Sequence, residues 1–165
     1  MTERWVINAS PLIVLARIGR EDFLFSVTDH VVVPRAVALE IEAGPADDRS
    51  KQLVTAGRFR IVDTPLPPSE LSAWDLGAGE TAVLSLALSE QGWTAILDDA
   101  AARRCARSFS VPLKGTLAVV ILAKQRGLIP SAAEVIRSLQ MAGFRLDDDT
   151  IQDALARTVR EVWMP

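Results

Sequence analysis

Five short apolar runs alternate with longer stretches of helical periodicity, and this alternation restricts the fold more than any other feature. The runs cover 5–7, 31–33, 59–62, 94–97 and 111–114. Helical patterns cover 11–17, 21–26, 35–43, 49–55, 79–91, 100–108, 115–126, 131–142 and 150–162. Strands that alternate with helices at this spacing imply a parallel sheet covered on both faces. The runs are apolar throughout, as strands buried on two sides must be. One irregular connector, "DTPLPPSELSAWDLG", carries three prolines and then glycine, and is expected to be a surface loop.

With 165 residues, 49% of them hydrophobic, the chain is expected to form one domain over 1–165. A chain of this size buries roughly 70% of its unfolded surface and needs no disulfide to fold. Its single cysteine, Cys105, excludes an internal disulfide framework and fits a reducing cytoplasm. No apolar run approaches the ~20 residues of a membrane span, and "MTERWVINAS" lacks the pattern of a signal peptide. The net charge of −3 disfavours non-specific nucleic-acid binding, while leaving room for a nuclease with an acidic centre.

In open parallel sheets, ligands bind beyond the carboxyl ends of the strands. Polar residues at strand ends and helix starts are therefore the ones to weigh. In "RWVINASPLI", Asn8 stands in the joint between first strand and first helix, with Ser10 expected as N-cap and Pro11 at the first helical position. Asn8 is either a tolerant turn residue or one corner of a metal site.

Carboxylates supply the other corners. Glu80 shares a helical face with Val83, Leu84 and Ala87, and a carboxylate on a buried face is costly without compensation. Asp98 and Asp99 end the fourth strand; one serves as a helix cap and the other faces the site, in an order the sequence leaves open. Glu40 falls beside Val37 on the wheel, whereas Glu42 falls on the solvated side. Oxygen donors without histidine suit Mg²⁺ or Mn²⁺. The lone histidine, His30, precedes the second strand at the opposite edge, and Cys105 reads as core.

Five segments in order, "VINASPLI", "AVALEI", "GAGETAVLSLA", "ILDDAAARRCA" and "LKGTLAVVILAKQRGLI", resemble PIN-domain proteins, most closely the VapC-like bacterial branch. The resemblance runs from about residue 5 to 128, and the helices near 131–162 are similar to that branch. It implies a three-layer α/β/α sandwich with a short central parallel sheet and a helical C-terminal extension. It also implies a Mg²⁺- or Mn²⁺-dependent ribonuclease, commonly the toxin of a toxin–antitoxin pair, usually a homodimer neutralised by a small antitoxin. The family's acids fall on Asn8, Glu40, Glu80 and either Asp98 or Asp99, its nearby Ser or Asn on Ser10, and a small hydroxyl residue on Thr116. Asn8 departs from the family's Asp: its amide oxygen can still meet a cation but brings no charge.

The resulting expectation is a metal-activated water attacking an RNA phosphodiester in line, with the metal on Glu40, Glu80 and Asp98 or Asp99, and Asn8 and Ser10 orienting. Arg103, Arg104, Arg107 and Lys114 are candidate phosphate contacts, although Arg103 is spaced for an ion pair with Asp99. The alternative is a PIN-like module that binds RNA or a protein partner without cutting. A phospho-acceptor receiver fits poorly, since no lone acid ends the middle strand. A nucleotide-binding enzyme lacks its glycine-rich phosphate loop.

Overall fold

The structure is a computed structural model that describes residues 3–165. Five strands form one sheet: β1 (Arg4–Ile7), β2 (His30–Pro34), β3 (Arg60–Val62), β4 (Trp93–Ile96) and β5 (Leu113–Lys114). Their order is β3-β2-β1-β4-β5, and every pairing is parallel. Trp5 of the central strand faces Val31 on one side and Thr94 on the other.

Among the described residues, ten helices surround the sheet: α1 (Ala9–Arg17), α2 (Phe23–Ser26), α3 (Arg35–Glu42), α4 (Arg49–Thr55), α5 (Ser69–Ser72), α6 (Ala78–Ser89), α7 (Ala100–Ser108), α8 (Thr116–Gln125), α9 (Ala132–Met141) and α10 (Asp148–Thr158). Nine of them gather into two packed groups, one of α1, α3, α4, α5 and α6, the other of α2, α8, α9 and α10, while α7 packs on β5. The result is an α/β/α sandwich. Trp5, Ile7, Leu12, Leu15, Leu84, Ile96 and Leu97 are fully buried between the layers. Each such side chain contributes roughly 1.5–3 kcal/mol relative to exposure. Cys105 lies among them, as its helical face predicts.

Two local expectations are corrected. The first helix begins at Ala9 with Asn8 as its N-cap residue, two positions earlier than the Ser10–Pro11 signal indicates. Proline is tolerated at the third helical position because the first-turn N–H groups have no intrahelical acceptor. The proline-rich connector is also not all loop: it contains α5, whose Leu71 is fully buried. The C-terminal helices are held by a carboxylate clamp. Glu161 accepts from Ala132 N (2.9 Å) and Ala133 N (3.0 Å) at the start of α9, and from Ser131 Oγ (3.0 Å). Among the described residues, no helix is long and apolar enough to cross a membrane.

Candidate active site

The chain leaves β1 at its carboxyl end through Asn8, whose N–H donates to Ile96 O at 3.1 Å and so extends the ladder by one rung. Asn8 is 2% exposed. Its extended backbone (φ −82°, ψ 169°) begins α1, yet its side chain makes no capping bond. Asn at an N-cap ordinarily accepts from the second or third helical N–H. Here the third helical residue is Pro11, which has none. The second, Ser10 N–H, does not bond to the Asn8 side chain either, and the amide is left to the sheet edge.

What it meets there comes from α6. Glu80 lies in the first turn of that helix, where the helix dipole favours a carboxylate. Asn8 Nδ2 donates to Glu80 Oε1 at 3.3 Å, and Asn8 Oδ1, though buried, has no hydrogen-bond donor among the described residues. Gly79 explains how these groups fit together. A Cβ at that position would stand 2.8 Å from Glu40 Oε2 and 3.1 Å from Asn8 Oδ1. The missing side chain leaves a cradle with a carboxylate oxygen and an orphaned amide oxygen facing into it. Gly77 has the same relation to Glu80, whose Oε2 would lie 2.6 Å from a Cβ there.

Glu40 is an exposed residue whose carboxyl oxygen Oε2 is set against this cradle. Burial, and then the neighbouring Glu80 charge, push its pKa above the ordinary carboxylate value. Neither carboxylate takes part in an ion pair among the described residues. Glu40, Glu80 and Asp99 line one cleft of about 740 Å³, with Asp75 on its rim and Leu39 and Leu76 as apolar walls.

The aspartate doublet divides as the sequence could not specify. Asp99 caps α7 through one oxygen, accepting from Ala102 N at 2.9 Å, and lines the cleft. Asp98 instead turns to α8, where its two oxygens accept from Thr116 N (2.8 Å) and Thr116 Oγ1. Both aspartates are therefore caps, and only Asp99 reaches the cleft. Thr116, fully buried, is the partner of Asp98 rather than a lining residue. Ser10 is exposed on α1 and does not line the cleft.

The basic residues also separate. Arg103 does not pair with Asp99; its Nη1 donates to Leu97 O at 2.9 Å. Lys114 reaches back to Glu3 (3.2 Å), ahead of β1, so its charge is already matched. Arg104 and Arg107 are exposed on α7 and join no ion pair among the described residues.

A family model described as a PIN domain matches residues 4–160. The chain belongs to the PIN-domain family. No curated protein matches it. The PIN fold is of nuclease type, and the residues of this PIN domain fit the hard divalent cation such folds typically use. The orphaned Asn8 Oδ1, the Gly79 cradle and an all-oxygen donor set suit Mg²⁺ or Mn²⁺ and no softer ion. The donor set is small, however: among the described residues, no three His, Cys, Asp or Glu side chains stand close enough to hold a metal by themselves. Two carboxylates and one amide make the tight cluster.

Two cleft features lay outside the sequence reading. Gly79 carries a detectable signal, since "GAGE" places small residues on either side of the turn that presents Glu80. Asp75 carries none; it reaches the rim through a left-handed backbone (φ 53°) in the turn before α6.

Proposed function

We propose that this protein is a Mg²⁺- or Mn²⁺-dependent endoribonuclease that hydrolyses RNA phosphodiester bonds. In this reading it acts in the cytoplasm as the toxin of a toxin–antitoxin pair, as a homodimer restrained by a small antitoxin protein. The observation that carries the proposal is the convergence of Glu40, Glu80 and the unpartnered Asn8 Oδ1 on the Gly79 cradle, in an acidic cleft at the carboxyl edge of a PIN sheet. Glu40, Glu80 and Asn8 Oδ1 would hold the cation, and Asp99, on the wall of the same cleft, would add a more distant negative charge. When bound, it supplies Lewis-acid polarisation of the phosphate and a more acidic water.

The chain's own groups supply the rest. Glu40 is the more exposed of the two glutamates, and a carboxylate oxygen that the cation leaves free takes the proton from the attacking water. Asn8 Nδ2 fixes Glu80 from behind. Arg104 and Arg107, on the helix that Asp99 opens, contact phosphates along the strand. Leu39 and Leu76 give the cleft an apolar wall against which a base can rest.

The test is incubation of the purified protein with cellular RNA under Mg²⁺, Mn²⁺ or chelator. The expected result is metal-dependent cleavage that disappears in Glu80→Gln and falls about 10²–10⁴-fold in Glu40→Gln. Asn8 favours one second reading, a module weakened in catalysis that binds RNA or a protein partner. Cleavage seen only after Asn8→Asp would select it. Intact RNA with both forms under every metal would overturn the nuclease reading.

A further inference from the structure

Asn8 is an unusual residue to place between two carboxylates. Its Nδ2 donates to Glu80 Oε1 at 3.3 Å, while its Oδ1 is buried without a donor and faces the cradle that Glu40 Oε2 also faces. Leaving a buried carbonyl without a donor is costly, because its desolvation goes unrepaid. Nothing in the protein relieves it. Pro11 has no N–H to give, Ser10 N–H does not cap back onto it, and no described side chain donates to it. The backbone cannot move the amide away, because Asn8 N is tied to Ile96 O at the edge of the central strands.

We infer that Asn8 has two roles: it straps Glu80 in place when no cation is bound, and its Oδ1 is the neutral ligand of a cation site carrying two close charges. This inference rests on the reading of the cleft as a divalent-cation site, and not on RNA being its substrate.

The argument follows from what an aspartate would do at the same place. Such a carboxylate would offer no N–H to Glu80 and would add a third negative charge facing Glu40 and Glu80. Without a cation, like charges at hydrogen-bond range repel, and the site would be held together only when occupied. Asparagine reverses both effects. The site stays assembled while empty, and a cation meets two close charges instead of three. Binding is then weaker and exchange faster than an aspartate at this position would give, and the fold does not depend on the ion.

The experiment measures Mn²⁺ binding by the loss of the free-ion EPR signal, and thermal melting in chelator, with no RNA present. Wild type, Asn8→Asp, Asn8→Ala and the swapped pair Asn8→Asp/Glu80→Gln are compared. Asn8→Asp is expected to bind Mn²⁺ at least tenfold more tightly, to melt lower than wild type in chelator, and to recover on Mn²⁺ addition. Asn8→Ala is expected to bind several-fold more weakly than wild type. The swapped pair, which restores one amide beside one carboxylate, is expected to melt near wild type in chelator; this variant keeps the test informative if Asn8→Asp folds poorly. Mn²⁺ affinity within twofold across wild type, Asn8→Asp and Asn8→Ala would overturn the ligand role. Unchanged melting of Asn8→Asp in chelator would overturn the strap. If these binding and melting results hold while RNA remains uncut, the inference stands and the nuclease reading fails.

Discussion

Glu3 and Glu90 stand at the amino edge of the sheet, Glu40 and Glu80 at the carboxyl edge. At the amino edge Glu3 accepts from Trp5 Nε1 (2.9 Å), Thr94 Oγ1 (3.0 Å) and Lys114 Nζ (3.2 Å). Glu90 accepts from Arg4 Nη1 and Trp93 Nε1, and the Arg4 guanidinium lies 4.3 Å from the Trp93 ring centre. At the carboxyl edge the only donor to either glutamate, among the described residues, is the Asn8 amide. The titration behaviour divides the same way. Burial raises the Glu3 carboxyl, but its three donors outweigh that and hold it below the ordinary value; Trp93 and Arg4 lower Glu90. Glu40 is shifted upward. One edge uses its acids to close the sheet, and the other leaves them uncompensated, as the proposed cation site requires.

Filling the Gly79 cradle tests this contrast most severely. Alanine is favoured over glycine by roughly 0.5–1 kcal/mol inside a helix, and Gly79 has an ordinary helical backbone in α6. The added Cβ would meet the end of Glu40 and also the buried Asn8 Oδ1 (3.1 Å) and Val37 Cγ2 (3.3 Å), which must give slightly. The helix gain and this crowding offset each other, so Gly79→Ala is expected to keep its stability in chelator within about 1 kcal/mol. Its Mn²⁺ affinity is expected to fall on the order of tenfold, about 1.4 kcal/mol, measured by titration. A variant that loses stability and keeps its affinity would place the cation elsewhere.

The aspartate doublet sharpens the contrast, because partnership rather than position separates the two roles. Asp98→Ala removes the acceptor for both donors of the fully buried Thr116 and uncaps α8. It should cost about 2–3 kcal/mol in denaturant unfolding. Asp99→Asn keeps an oxygen for Ala102 N, so its stability should stay within about 0.5 kcal/mol while cation binding and cleavage weaken. If the two exchange behaviours, Asp98 is the residue that faces the chemistry.

The strands and nearly every helix were legible because their signals are local: apolar runs and helical periodicity. Glu40 and Glu80 were legible as candidates because each shares a helical face with core residues. The sequence could not say which aspartate turns to the cleft. That choice is made by Thr116, eighteen residues away, whose N–H and hydroxyl both claim Asp98. Long-range pairing hid Lys114 in the same way, since its partner Glu3 lies 111 residues distant. The Ser10–Pro11 signal misplaced a helix start because the ladder bond from Asn8 N to Ile96 O, a tertiary contact, fixes where β1 ends and α1 begins.

Acid titration gives the smallest and most direct comparison of the two edges. For Glu3 the folded pKa is depressed, so its stabilisation is complete above the ordinary carboxylate pKa and is lost as pH falls through the folded value. For Glu40 the folded pKa is raised, so its contribution is complete below the unfolded value and is lost as pH rises through the folded one. On acidification through roughly pH 6 to 3 the two therefore act in opposite senses. Melting in chelator across that window should show a shallower acid loss in Glu3→Gln than in wild type and a steeper one in Glu40→Gln. At neutral pH, Glu3→Gln should lower stability by no more than about 1 kcal/mol, since Glu3 is largely exposed and solvent screens its ion pair with Lys114. Glu40→Gln should leave it unchanged or raise it. Parallel slopes in the two variants would mean that both edges are compensated alike, and that the carboxyl edge holds no reserve of unpaired charge for a cation.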